Sequence, residues 1–164
     1  MLGAYGHEFS DIIINTTYLN EKLELKAITN KEQGFTYRNS VFKDSEDIII
    51  STTLQLKYED KEKIKNKMDE NIENRKSKQP LDFPNAGSIF KRKNGVIVSE
   101  IIDKCGLKGY NIGDAEVSKK HAGFIVNKGN ATAKDVLDLI EYIKNVVKEK
   151  YKLDIDLEIK IFGE

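Results

Sequence analysis

At 164 residues the chain suits one domain of ordinary size, or a small domain plus part of another. Its 27 Lys and Arg residues are matched by 27 Asp and Glu residues, and this zero balance argues against a nucleic-acid binder. A 39% apolar content is enough for a core and argues against wholesale disorder, while no apolar run reaches the roughly 18 residues of a membrane helix.

Residues 11–20 (DIIINTTYLN) are rich in β-branched side chains, and 22–28 (KLELKAI) alternate Leu23, Leu25 and Ala27 with charged residues. They predict two strands with a tight turn at Asn20-Glu21. Residues 29–46 read as a loop, and 47–57 (DIIISTTLQLK) as a third strand. From Tyr58 to Lys78, Ile64, Met68 and Ile72 recur every four residues, which predicts a helix with a narrow apolar stripe and an otherwise solvated, mixed-charge surface. Gln79-Pro80 ends it, because the residue before proline disfavours helix. The polar stretch 74–84 is the expected domain boundary.

Beyond it come an expected loop over 84–95 (PNAGSIFKRKNG), a short helix near Val96–Lys104, a glycine-punctuated segment 106–117, and a strand at 123–127 (GFIVN). Thr132 followed by Asp135 predicts a capping-box-like helix start. Val136, Leu139, Ile140, Ile143, Val146 and Val147 then share one helix face. The run 153–162 (LDIDLEIKIF) alternates strictly and predicts a strand. The mixture indicates an α+β fold.

The sequence holds no phosphate-binding G-x-x-x-x-G-K-[ST] loop, no Cys-x-x-Cys, no His-Glu-x-x-His and no G-x-G-x-x-G after a strand, and no metal site is expected. Cys105 has no internal disulfide partner, and no secretory signal opens the chain; a reducing, cytoplasmic location is expected. Four segments stand out. Gly3-Ala-Tyr-Gly6 permits close backbone approach to a flat ligand, or is simply a loop before a strand. Tyr37-Arg38 offers a guanidinium for a carboxylate or phosphate, or is a surface arginine. In Asn85-Ala-Gly-Ser88-Ile-Phe-Lys-Arg-Lys93 a hydroxyl precedes three cations, a setting for an anionic ligand or a basic turn. Lys119-Lys-His-Ala-Gly-Phe-Ile-Val-Asn127 brings cations to a strand start, or is a solvated turn. Glu158 falls on the polar face of 153–162, where periodicity expects solvent.

In order, GAYG, YRNSVFK (37–43), QPLDFPNAGSIFK (79–91), GLKGYNIGDAEVSKKHAGFIVNKGNATAKDVLDLIEYI (106–143) and LEIKIFGE (157–164) resemble the UDP-N-acetylenolpyruvoylglucosamine reductase family. The resemblance covers nearly the whole chain. It implies the C-terminal half of a family member: residues 1–57 as the incomplete end of an FAD-binding α+β domain, 58–83 as helix and linker, and 84–164 as a small α+β substrate-binding domain with a C-terminal strand. It implies reduction of UDP-N-acetylglucosamine enolpyruvate, with FAD as cofactor, NADPH as hydride donor and neither membrane nor nucleic acid as partner. Ser88 is then the general acid, Arg38 the partner of the substrate carboxylate, and Glu158 its neighbour. Lys91, with Arg92, would lower the pKa of the Ser88 hydroxyl. Tyr5, Lys91, Arg92, His121 and Asn127 are expected at the substrate, and Gly3, Ala4 and Gly6 at the cofactor. Many relatives carry Asn-Pro after Phe-Lys, where this chain has Arg92-Lys93; the Asn contact with the diphosphate would here pass to the charge of Arg92. The alternatives are a flavin-free UDP-sugar-binding module and an inactive structural remnant. Strands cut from a sheet would also favour self-association.

Overall fold

A computed structural model describes residues 3–93 and 95–163. Met1, Leu2, Asn94 and Glu164, which belong to the segments quoted above, lie outside the described residues. The chain divides into two compact units, residues 1–71 and 72–164. The division falls inside the helix α1, Lys61–Lys78.

The first unit opens with a minimal hairpin, β1 (Gly3–Ala4) against β2 (His7–Glu8). Its turn, Tyr5-Gly6, has φ of 53° and 84°. Positive φ at both central residues matches the twist of a two-residue hairpin, and Gly6 adopts it without strain. Three antiparallel strands follow, β3 (Ile13–Leu19), β4 (Leu25–Thr29) and β5 (Ile48–Leu54), in the order β4-β3-β5. The second strand starts three residues later than the alternation predicts. The reason is Asn20, whose Oδ1 accepts the amides of Lys22 and Glu24 at 3.0 and 2.9 Å and so spends residues 20–24 on a turn. Ile48, Ile49 and Ile50 on the edge strand β5 are each more than half exposed.

The helix α1 starts where Asp60 Oδ1 accepts the amides of Glu62 and Lys63, both at 3.0 Å. Its expected stripe is present but uncovered: Ile64, Met68 and Ile72 all remain exposed.

The second unit is a four-stranded antiparallel sheet, ordered β6-β9-β8-β7, from β6 (Asn85–Ser88), β7 (Asn111–Ile112), β8 (Ala115–Val117) and β9 (Phe124–Asn127). The helices α2 (Val98–Lys104) and α3 (Ala133–Tyr151) complete it. Thr132 and Asp135 form the predicted reciprocal cap: the Asp135 amide donates to Thr132 Oγ1 at 3.1 Å, and the Thr132 amide to Asp135 Oδ2 at 2.8 Å. Leu139, Ile140, Ile143 and Val147 are buried along the predicted face and join Ile89, Ile102, Val117 and Ile155 in one core.

Two expectations change here. Residues 85–88 form a strand, not a loop. Asn85 pairs with Val126 and Ser88 with Phe124, so three steps on β6 oppose two on β9. The extra residue makes a bulge, with Gly87 at φ 81°. Conversely, 153–162 is not a regular strand. It pairs through a single bridge, Phe90 with Leu157, flanked by the Lys91 amide donating to Asp156 O at 2.9 Å and the Glu158 amide to Ile89 O at 2.8 Å. Alternation gives a segment two faces, but a strand also needs a partner of matching length. Past Ser88 the partner is short, because residues 93–96 turn back on themselves.

Candidate functional site

The sheet's pleat decides which side chains meet. Ser88, Phe90 and Arg92 fall on one side of the extended segment, and Ile89, Lys91 and Lys93 on the other. The first three line a cavity of about 150 Å³, with Ile97, Val98, Ser99, His121 and Gly123. Ile89 is instead fully buried in the core, and Lys93 pairs with Asp156 at 3.0 Å. Lys91 does not line the cavity, so Arg92 is the cation that shares it with Ser88.

His121 is set by a turn. Ser118, itself buried, accepts the amides of Lys120 and His121 at 3.2 and 3.3 Å through its hydroxyl oxygen. The imidazole then accepts the Gly123 amide at Nδ1, 3.0 Å away, and meets the Phe124 ring edge-on at 4.9 Å. With Nδ1 as acceptor, the neutral ring carries its proton on Nε2. Burial pushes the His121 pKa down, and the charge of Lys108 adds to this, so the neutral ring is favoured. Space is tight at Gly123: a Cβ there would lie 3.0 Å from both Ser99 Cβ and His121 Cε1.

Glu158 departs from its expected exposure. It is half-buried, and its Oε2 is enclosed. The pairing with Ile89 fixes its backbone to the residue that follows Ser88. Asn127 serves a local turn, its Oδ1 accepting the amides of Gly129 and Ala131 at 2.9 and 3.0 Å.

The remaining expected residues belong to the first unit. Arg38 sits at the tip of a tight turn with φ 56°, its guanidinium 5.7 Å from the centre of the Tyr37 ring. Tyr5 donates its hydroxyl to Asn71 O at 2.9 Å. At Gly6 no atom lies within 4 Å of where a Cβ would stand.

A family model described as UDP-N-acetylenolpyruvoylglucosamine reductase, C-terminal domain, matches residues 79–162. The chain belongs to this reductase family. Among curated relatives, the UDP-N-acetylenolpyruvoylglucosamine reductase of Caldanaerobacter subterraneus is 48% identical over 99% of this chain and 54% of its own length. That of Clostridium novyi is 43% identical over 99% of this chain and 53% of its own. The crystal structure of UDP-N-acetylenolpyruvylglucosamine reductase (MurB) from Thermus caldophilus is similar with a TM-score of 0.78 and 32% identity, over 97% of this chain and 57% of that one. The chain thus spans about half the length of the reductases it matches.

Sequence reasoning missed Ser99, Ile97 and Gly123 as cavity residues. Gly123 lies within the quoted segment 119–127 but was not singled out there, and Ser99 carried no signal. Among the described residues no cluster could hold a metal ion, and no helix is long and apolar enough to cross a membrane.

Proposed function

We propose that this chain is the C-terminal part of a cytoplasmic flavoenzyme that reduces UDP-N-acetylglucosamine enolpyruvate to UDP-N-acetylmuramate with NADPH, a step of peptidoglycan precursor synthesis. The observation that carries the reading is the grouping of Ser88, Arg92 and His121 around one cavity, with the backbone of Glu158 bonded beside Ser88. A cavity of about 150 Å³ has room for the enolpyruvyl end of the substrate.

Gly3, Ala4 and Gly6 are assigned to the cofactor, and the open space at Gly6 supports this. Bound FAD would supply the hydride, drawn from NADPH, that adds to C3 of the enolpyruvyl group. Charge then develops at C2 and spreads into the carboxylate. Arg38 is assigned to that carboxylate, where a planar guanidinium pairs two oxygens at once. Ser88 gives its proton to C2. Its hydroxyl is a weak acid at neutral pH, and the positive charge of Arg92 in the same cavity favours the alkoxide left behind. Glu158, with one oxygen enclosed, is assigned to the carboxylate's side as its neighbour. Neutral His121 offers Nε2–H as a donor to substrate oxygen.

A second reading, a UDP-sugar-binding module without flavin, is favoured by the confinement of the cavity to the second unit. Calorimetric titration of a full-length enzyme carrying this chain separates the two. Binding of both FAD and UDP-N-acetylglucosamine enolpyruvate supports the flavoenzyme. Binding of the nucleotide sugar alone, by colourless protein, supports the second reading. Binding of neither rejects both.

A further inference from the structure

We infer that Gln33 is a positioning residue for Arg38, acting through a buried polar chain that ties the arginine's loop to all three strands of the first sheet. The inference rests on the role proposed for Arg38.

Thr16 in β3 and Gln33 are 1% and 2% exposed, the most enclosed polar side chains of the first unit. Thr16 Oγ1 donates to Gln33 Oε1 at 3.1 Å. A hydroxyl has one proton, so the 3.1 Å contact between Thr16 and Thr52 of β5 must run the other way, with Thr52 as donor. Gln33 Nε2 donates in turn to Thr29 O, at the end of β4, at 3.4 Å. The hydrogen bonds run in one direction, from Thr52 through Thr16 and the Gln33 amide to the carbonyl of Thr29.

Gln33 also begins the excursion that carries Arg38. Its carbonyl accepts the Val41 amide at 3.0 Å, so residues 34–40 form a closed loop hung from one residue. Within the loop, Thr36 and Asn39 exchange backbone hydrogen bonds of 3.1 and 3.0 Å, which places Tyr37 and Arg38 at the tip. Arg38 is held at φ 56°, a conformation that side chains with a Cβ disfavour. Such a conformation persists only where surrounding contacts over-determine it. An apolar residue at 33 would fill the same volume without fixing the loop's azimuth over the sheet. The amide fixes it, and with it the direction from which the guanidinium meets a carboxylate.

The test is backbone amide exchange on the full 164-residue chain. Gln33→Met keeps the shape and removes both hydrogen bonds. Exchange at Thr36, Asn39 and Val41 should accelerate about tenfold, while amides within β3 and β5 stay within about twofold. Thr16→Val should reproduce the pattern and Thr16→Ser should restore protection; this pair reads the same bond if Gln33→Met fails to fold. Unchanged exchange at 36–41, or equal acceleration across the sheet, overturns the inference. The role of Arg38 is read separately. In a flavin-loaded enzyme carrying this chain, Arg38→Ala with undiminished turnover would reject that role while leaving the exchange result intact.

Discussion

The amide of Glu158 donates to the carbonyl of Ile89 across 2.8 Å, which joins the acidic residue near the C-terminus to the residue that follows Ser88, sixty-nine positions earlier. The bond involves backbone only, so the side chain of Glu158 is replaceable without losing the pairing. Glu158→Gln should therefore lower turnover more than it weakens substrate binding in a flavin-loaded enzyme carrying this chain. Steady-state kinetics beside calorimetric affinity would show it; an unchanged rate removes Glu158 from the chemistry.

Ser88→Ala removes only a hydroxyl from an exposed cavity wall. Reduction of flavin by NADPH should stay near the parent rate, and the following reaction with substrate should slow by roughly 10²–10⁴, the usual worth of a positioned acid. Rapid-mixing absorbance measurements resolve the two halves. Equal losses in both would contradict the assignment.

Gly123→Ala inserts a methyl between Ser99 and His121, each 3.0 Å from the new atom. Overpacking of this kind costs about 1–3 kcal/mol, and the imidazole must shift. Denaturant melts should show the loss, and affinity for the substrate should fall with it. A variant as stable and as tight-binding as the parent would mean that the wall yields freely.

Burial of His121 lowers its pKa below the ordinary 6.5, so the folded chain resists protonation there. Above about pH 6.5 neither state holds the proton and the group is silent. As pH falls below that value the unfolded chain binds a proton first, and stability drops. His121→Gln should flatten stability against pH between about 6.5 and 5, a window above the ordinary carboxylate range. Thermal melts in matched buffers test this, and identical slopes would refute it.

Thr132→Ala removes the hydroxyl that accepts the Asp135 amide at the start of α3. The expected loss is about 1 kcal/mol, measured as a lower urea midpoint with unchanged slope.

The helix α3 could be read directly, because its cap and its 3.6-residue period both act locally. The hairpin of β7 and β8 could not, since strands of two and three residues are too short to show a period. Asn85–Ser88 looked like a loop for a related reason: Gly87 and Asn85 are turn residues by type, yet here they build a bulge inside a strand. The error over 153–162 was the reverse, a perfect alternation without a long enough partner. In the site, the sequence indicated Ser88, Arg92 and His121 but spread its cations evenly; only the pleat assigns Lys93 to Asp156 and Arg92 to the cavity. Glu158 was expected in water because periodicity ignores what packs over a polar face.

Adding the letters Lys91-Arg92-Lys93 would credit the cavity with a potential that the fold does not deliver. Among these neighbours, Arg92 alone lines the cavity, whereas Lys93 is turned to Asp156, where a reversed charge would set two like charges against each other. Adjacent letters thus face different surroundings, and a substitution at one leaves the other's contact in place.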